Sequence, residues 1–167
     1  QIRAEKDKLI TEGKIKRDKP LPPIAADEKP FELPQGWEWT RMQTAFDVRD
    51  GTHDTPKYVE RDGVPLITSK NFENGKINFE NAKLISAFDH EAIMKRSRVE
   101  RNDILYSMIG GNIGNQVIVD TDREFSIKNV ALFKCVSVAL TQPLFLHLFL
   151  ETATLTMQQR AVGGAQP

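Results

Sequence analysis

Five of the nine prolines in this 167-residue chain, Pro20, Pro22, Pro23, Pro30 and Pro34, fall within fifteen consecutive positions. Each fixes its own φ and lacks an N–H donor, so residues 13–34 exclude a regular helix and favour an extended, surface-hugging linker. Before it, residues 1–12 favour helix through Ala4, Glu5, Lys6, Lys8 and Leu9. Only Ile2, Leu9 and Ile10 offer an apolar stripe, too thin to hold a helix alone. The hydrophobic core therefore has to come from residues 35–167, a length suited to one domain. The expected division is a helical end and linker over 1–34 and a globular domain over 35–167.

Patterning in the second part is strand-rich. Trp37 and Trp39 alternate with Glu38 and Thr40, predicting an opening strand, and a loop follows over residues 50–58. Residues 64–68 read as a buried strand, and Asn74-Gly75 marks a tight turn between Phe72 and the alternating Ile77-Asn78-Phe79. Ser86 with Asp89 predicts a capped helix to about Arg96. Residues 103–109 and 116–119 read as strands joined by Gly110-Gly111-Asn112-Ile113-Gly114-Asn115, and residues 129–136 as another. Thr141 as cap and Pro143 in the first turn start a helix to about Gln159, with Leu144, Leu148 and Leu155 on its expected core face.

Several chemistries find no motif. A single cysteine, Cys135, permits neither an internal disulfide nor a cysteine-based zinc site, and fits a reducing cytoplasm. His53, His90 and His147 are too scattered for a metal signature, and His147 among leucines reads as a core or boundary histidine. The glycine-rich loop matches neither nucleotide-binding pattern; it reads as a flexible hairpin loop or as a surface bringing Asn112 and Asn115 to another backbone or a base edge. No nucleophile elbow or methyl-donor motif occurs. The expectation is a binding module without catalytic residues, metal or cofactor. The apolar run 144–150, broken by His147, is far short of the ~20 residues a membrane span needs, so a soluble, cytoplasmic protein is expected. The chain opens inside a helical pattern and stops at Gly-Gly-Ala-Gln-Pro, so neither end reads as a natural terminus.

The 23 basic and 23 acidic residues cancel. A neutral total argues mildly against nucleic acid, yet a duplex senses the local field within a Debye length of ~8 Å, so distribution matters more than the sum. Amides suit adenine, cations suit guanine and phosphate, and hydroxyls suit either. Two segments concentrate such groups at strand ends. One carries His53, Thr55, Lys57 and Tyr58, the other Ser69, Lys70 and Asn71. Lys70 and Asn71, just beyond a buried strand, are the expected base readers. Arg96 and Arg98, within a cluster that includes Lys95 and Arg101, are the expected phosphate contacts. Each cluster alone also reads as solvated surface.

Ordered landmarks sharpen this. Leu33-Pro34-Gln35-Gly36-Trp37-Glu38-Trp39, then Asp50-Gly51-Thr52-His53-Asp54-Thr55-Pro56-Lys57-Tyr58, then Gly63-Val64-Pro65-Leu66-Ile67-Thr68-Ser69-Lys70-Asn71 resemble the opening of a target-recognition domain in the specificity subunits of type I restriction-modification enzymes. Asp103-Ile104-Leu105-Tyr106-Ser107-Met108-Ile109-Gly110, Ser126-Ile127-Lys128-Asn129-Val130-Ala131-Leu132-Phe133 and Gly163-Gly164-Ala165-Gln166 are similar to its later landmarks. Residues 3–22 resemble the end of the conserved region before the first such domain. The resemblance implies an α+β fold, a curved mixed sheet with peripheral helices, that reads one half of a bipartite site in double-stranded DNA. It implies modification (methyltransferase) and restriction (endonuclease and translocase) subunits as partners, and no catalysis by this chain. A subunit-interaction module without base readout is the alternative.

Overall fold

A computed structural model of the chain describes the backbone of residues 1–161 and the side chains as far as residue 159; the expected landmark at Gly163 to Gln166 lies outside the described residues. Helix α1 (Ile2–Thr11) leads through the proline segment to a one-turn helix α2 (Met42–Ala45), which runs directly into β1 (Phe46–Asp50). There follow β2 (Tyr58–Val59), β3 (Val64–Ile67), β4 (Phe72–Glu73), β5 (Lys76–Ile77), β6 (Lys83–Ile85), α3 (Ala87–Ser97), β7 (Ile104–Ser107), β8 (Gln116–Ile118), β9 (Ser126–Ile127), β10 (Val130–Cys135) and α4 (Pro143–Ala161). The class is α+β, as expected. Among the described residues the strands divide into two four-stranded sheets and a hairpin. The first sheet, ordered β1-β10-β7-β8, is antiparallel throughout. The second, β2-β6-β3-β9, is mixed, because β3 and β9 run parallel.

The first sheet is covered on both faces, which explains why β7 is a continuous buried run rather than an alternating one. Its pleat sends Ile104 and Tyr106 toward α4, where they pack with Phe46, Ala131, Phe133, Leu146 and Leu150. Leu105 points the other way and joins Val130, Leu132 and the second sheet's Ile67 and Ile127. Truncating a side chain such as Leu105 to alanine at sites like these costs about 2–5 kcal/mol, so this layer supplies much of the fold's stability.

Several local expectations hold. Asn74 and Gly75 both take positive φ, 52° and 73°, in the hairpin turn of β4-β5, the conformation a two-residue turn of this kind demands. The Ser86 side chain accepts from the Asp89 backbone N–H at the start of α3. Other expectations fail. Residues 37–40 form no strand: Trp39 meets Phe31 edge-on at 4.9 Å while the exposed Trp37 leans on Phe145 at 6.2 Å. Their alternation reflects two separate aromatic contacts. Thr141 does not cap α4; its hydroxyl donates to the Ser137 carbonyl at 2.8 Å, closing the preceding turn. The core stripe of α4 is Leu146 and Leu150, whereas Leu144, Leu148 and Leu155 are exposed. Residues 144–150 are apolar on nearly every side, so periodicity alone does not set the rotation. A bond between the Tyr106 hydroxyl and Thr154 Oγ1 at 3.0 Å helps to fix it.

The proline segment is tied down by two cations. Buried Lys6 donates from Nζ to Asp18 at 2.6 Å and to the carbonyls of Gln43 and Phe46. Arg41 donates to the Pro22 and Pro23 carbonyls at 3.3 and 3.1 Å and pairs with Glu28. At the foot of β7, Asp103 is 4% exposed, accepting from Lys134 Nζ at 2.6 Å and the Glu100 N–H at 2.7 Å. Burial pushes its carboxyl up to about 6 despite Lys134. A carboxyl raised on folding is protonated more in the folded than in the unfolded chain between about pH 4 and 6, so it removes stability as pH rises through that window. At ~1.4 kcal/mol per pKa unit the loss is on the order of 3 kcal/mol. Urea unfolding across pH 4–7 is expected to show this slope as the difference between the parent chain and D103N; parallel profiles would refute it.

Candidate nucleic-acid interface

Strand direction gathers four loops at one end of the molecule. Strands β1 and β7 both run antiparallel to β10, so their C-terminal ends meet its N-terminal end, where Asp50 pairs with Ala131 and Ser107 with Val130. Strands β3 and β9 run parallel and end together. Only Lys128 and Asn129 separate β9 from β10, so the two sheets share this rim. It is formed by residues 51–55 after β1, 68–71 after β3, 108–115 after β7, and 128–129.

These loops are fastened to one another. Thr52 forms a parallel bridge with Lys128, donating to the Ile127 carbonyl at 3.0 Å and accepting from the Asn129 N–H at 3.1 Å. The Lys128 N–H donates to the Ile67 carbonyl at 2.9 Å. The Asn112 amide reaches Ser69 Oγ at 3.4 Å, and Gln158 of α4 donates to the Ile113 carbonyl at 2.8 Å. Gly51 is buried against the crossing: a Cβ there would stand 2.7 Å from the Ile127 carbonyl oxygen and 3.0 Å from the Lys128 nitrogen. Only glycine lets the strand end pass so close.

The expected site residues divide on this rim. His53 is exposed, its Nε2 2.8 Å from Asp50 Oδ2 and its Nδ1 3.2 Å from Asn129 Oδ1. Arg96 donates to the same Asp50 oxygen at 2.7 Å. Burial alone would raise the Asp50 carboxyl, but hydrogen bonds from Arg96 and His53 outweigh it and hold the group below its ordinary range. Thr55, Lys57, Lys70 and Asn115 are exposed, Ser69 and Asn112 half-buried. The ammonium groups of Lys57 and Lys70 have no partner among the described residues.

Three expectations need correction. Asn71 is 7% exposed and its amide is already engaged: Oδ1 accepts from the Thr68 N–H at 3.0 Å and Nδ2 donates to the Asn78 carbonyl at 3.3 Å. It closes the turn that presents Lys70 and leaves no free edge for a base. Tyr58 pairs with Ile85 beside Val64, at the end of β3 opposite the rim. Arg98 parts from Arg96: its carbonyl accepts from Lys134, which pairs with Asp47 toward the far end of β1. In the sequence Lys128 reads only as part of a landmark and Asn129 as the start of a strand; the positive φ of Asn129, 56°, and the parallel β3–β9 pairing that places them here have no local signature. It also placed Met108 and Ile109 inside a strand. They follow β7 and are 57% and 54% exposed, an apolar pair able to meet a thymine methyl. No helix of the described residues is long and apolar enough to cross a membrane, and no cluster of three or more metal-ligating side chains occurs among them.

Gly51→Ala is expected to lower the stability of the 167-residue chain by about 1–3 kcal/mol in urea unfolding, since the obstructing atoms are backbone and cannot rotate away. A midpoint equal to the parent's would show that the crossing tolerates a methyl group.

No family model matches the chain. Among curated proteins it is 31% identical over 140 residues to the specificity subunit of the type I restriction enzyme EcoAI of Escherichia coli, covering 81% of this chain and 22% of that protein. A 42-residue stretch, 25% of the chain and 7% of the relative, is 62% identical to the EcoEI specificity subunit of the same species. The chain thus spans about a fifth or less of these relatives' length. Among solved structures, the HsdS subunit from Thermoanaerobacter tengcongensis superposes with a TM-score of 0.59 at 18% identity, over 77% of this chain and 30% of that one. A chain from a structural study of complex assembly and conformational transition of the type I R-M system gives 0.58 at 20% identity, over 92% and 35%. These likenesses show the fold, and the curated sequences carry the kinship: the chain belongs to the specificity-subunit family of type I restriction enzymes, as a segment of such a subunit.

Proposed function

We propose that this chain reads one half of a bipartite site in double-stranded DNA and performs no chemistry itself, directing the modification and restriction subunits of a type I enzyme. The carrying observation is the convergence of four loops on one rim that presents the unpaired ammonium of Lys70, the hydroxyls of Ser69 and Thr55, and the amide of Asn112. Donors of this kind match base-edge acceptors, and mounting them on strand ends gives the fixed geometry that readout needs. Arg96, exposed at the same end and paired with Asp50, keeps further N–H donors for a backbone phosphate. The specificity role named for the relatives supports the same reading. Such a protein would act in the cytoplasm, alongside the DNA it reads.

A second reading has its own observation. Leu144, Phe145 and Leu148 leave an apolar stripe on α4 beside exposed Trp37, which favours a subunit-contact face. The two readings use different surfaces of the domain and are compatible.

The test compares binding to the recognised site with binding to scrambled duplex at one salt concentration, in the complete subunit assembled with its partners. Lys70→Ala is expected to lose about 1–3 kcal/mol on the recognised site and little on scrambled DNA. Asn71→Ala is expected instead to lower the thermal midpoint, by loosening the turn. Equal losses on both duplexes for Lys70→Ala, or none, would remove Lys70 as a reader; preserved discrimination across all rim variants would leave the interaction-module reading standing.

A further inference from the structure

Lys128 stands on the rim, where a cation would ordinarily be assigned to a phosphate. Its surroundings say otherwise. An ammonium group has three N–H donors and no acceptor. All three have partners: Nζ donates to the His53 carbonyl at 2.9 Å, the Asp54 carbonyl at 3.1 Å and Thr55 Oγ1 at 2.7 Å. The three acceptors are consecutive residues of one loop, which is wrapped around the charge. On the other side of the loop, His53 is bracketed by Asp50 and Asn129.

We propose that Lys128 is a positioning residue, an internal clamp that holds residues 53–55 in the conformation that meets DNA, and that it makes no phosphate contact. This rests on the DNA-reading proposal for its functional consequence but not for its structural one. Left to itself, the loop between Gly51 and Tyr58 has few fixed points: Thr52 is bridged, and Tyr58 begins β2 at the far end of β3. Ordering so exposed a segment costs backbone entropy at every residue. A charge-assisted contact to three successive residues offsets part of that cost before DNA arrives, so less binding energy goes into ordering. Thr55 is also oriented by it: with one lone pair taken by the lysine, its hydroxyl proton is free to point outward at a base acceptor.

The clamp and a phosphate contact differ in what they predict for two variants. Lys128→Met removes the charge and keeps the length. Lys128→Arg keeps the charge, but a planar guanidinium cannot aim three N–H groups at three converging oxygens. For a clamp, both variants lose about tenfold or more on the recognised site, as for one lost oriented contact, with scrambled-duplex affinity and salt dependence unchanged. For a phosphate contact, Lys128→Arg binds as the parent does, while Lys128→Met weakens both duplexes and flattens the slope of log K against log salt by about 0.9. That second pattern, or no change in either variant, overturns the proposal. Hydrogen exchange of the DNA-free chain gives a readout independent of DNA. Faster exchange confined to residues 52–57 in both variants supports the clamp; unchanged exchange, or acceleration spread through both sheets, overturns it. Faster loop exchange in a protein whose parent form shows no site preference would instead place the failure with the DNA-reading proposal.

Discussion

The chain crosses from one sheet to the other in two residues, Lys128 and Asn129, and the rim depends on how closely that crossing is held. Strand β9 is pinned by parallel pairing to β3, and β10 is the interior strand that joins β1 to β7. With both ends fixed by ladders, the crossing has little freedom. The approach of Gly51 to Ile127 and Lys128 then brings a third strand end against it. Three strand ends from two sheets are thereby fixed relative to one another, and each continues into a loop. Hydrophobic burial on both faces of β7 and β10 provides the free energy that keeps this geometry rigid.

The balance of 23 basic and 23 acidic residues looks unsuited to a polyanionic partner until the cations are sorted by what they touch. Buried Lys6 and half-buried Lys134 are ion-pair partners that bind the proline segment and the foot of β7. Arg41 and Arg101 pair with Glu28 and Asp122. Lys128 is saturated by the loop it holds. Much of the positive charge therefore maintains the fold, with its field cancelled locally. On the rim Lys70 remains uncompensated among the described residues, so the potential there is set by a few groups and not by the total. That arrangement suits discrimination better than tight sequence-independent binding, because it limits the attraction common to every duplex.

Local signals in the sequence were legible where short-range chemistry decides the outcome. The turn at Asn74-Gly75, the Ser86 cap and the strands around β3, β7, β8 and β10 follow from residue type and period alone. Strand β1 was not legible, since Asp47 and Arg49 on an edge strand resemble a polar loop, and their mutual ion pair is visible only in three dimensions. Nor was the rotation of α4, whose apolar residues point nearly everywhere. The candidate site was half legible. Loops 51–57 and 68–71 were identified by composition, but their meeting depends on parallel pairing between strands sixty residues apart. Asn71 shows the limit of reading residue type: an amide suited to adenine is used up inside its own turn.

The central claim is that DNA lies against the loop rim and not against the α4 face or the far end of β3. Photo-crosslinking tests it most directly, with 5-iodouracil placed at successive thymine positions of the recognised half-site in the assembled enzyme and the attached peptides identified by mass spectrometry. Attachment is predicted within residues 53–55, 69–70 and 108–115. Attachment concentrated on residues 144–149 of α4 or on β2, with the rim loops unlabelled, would contradict the account.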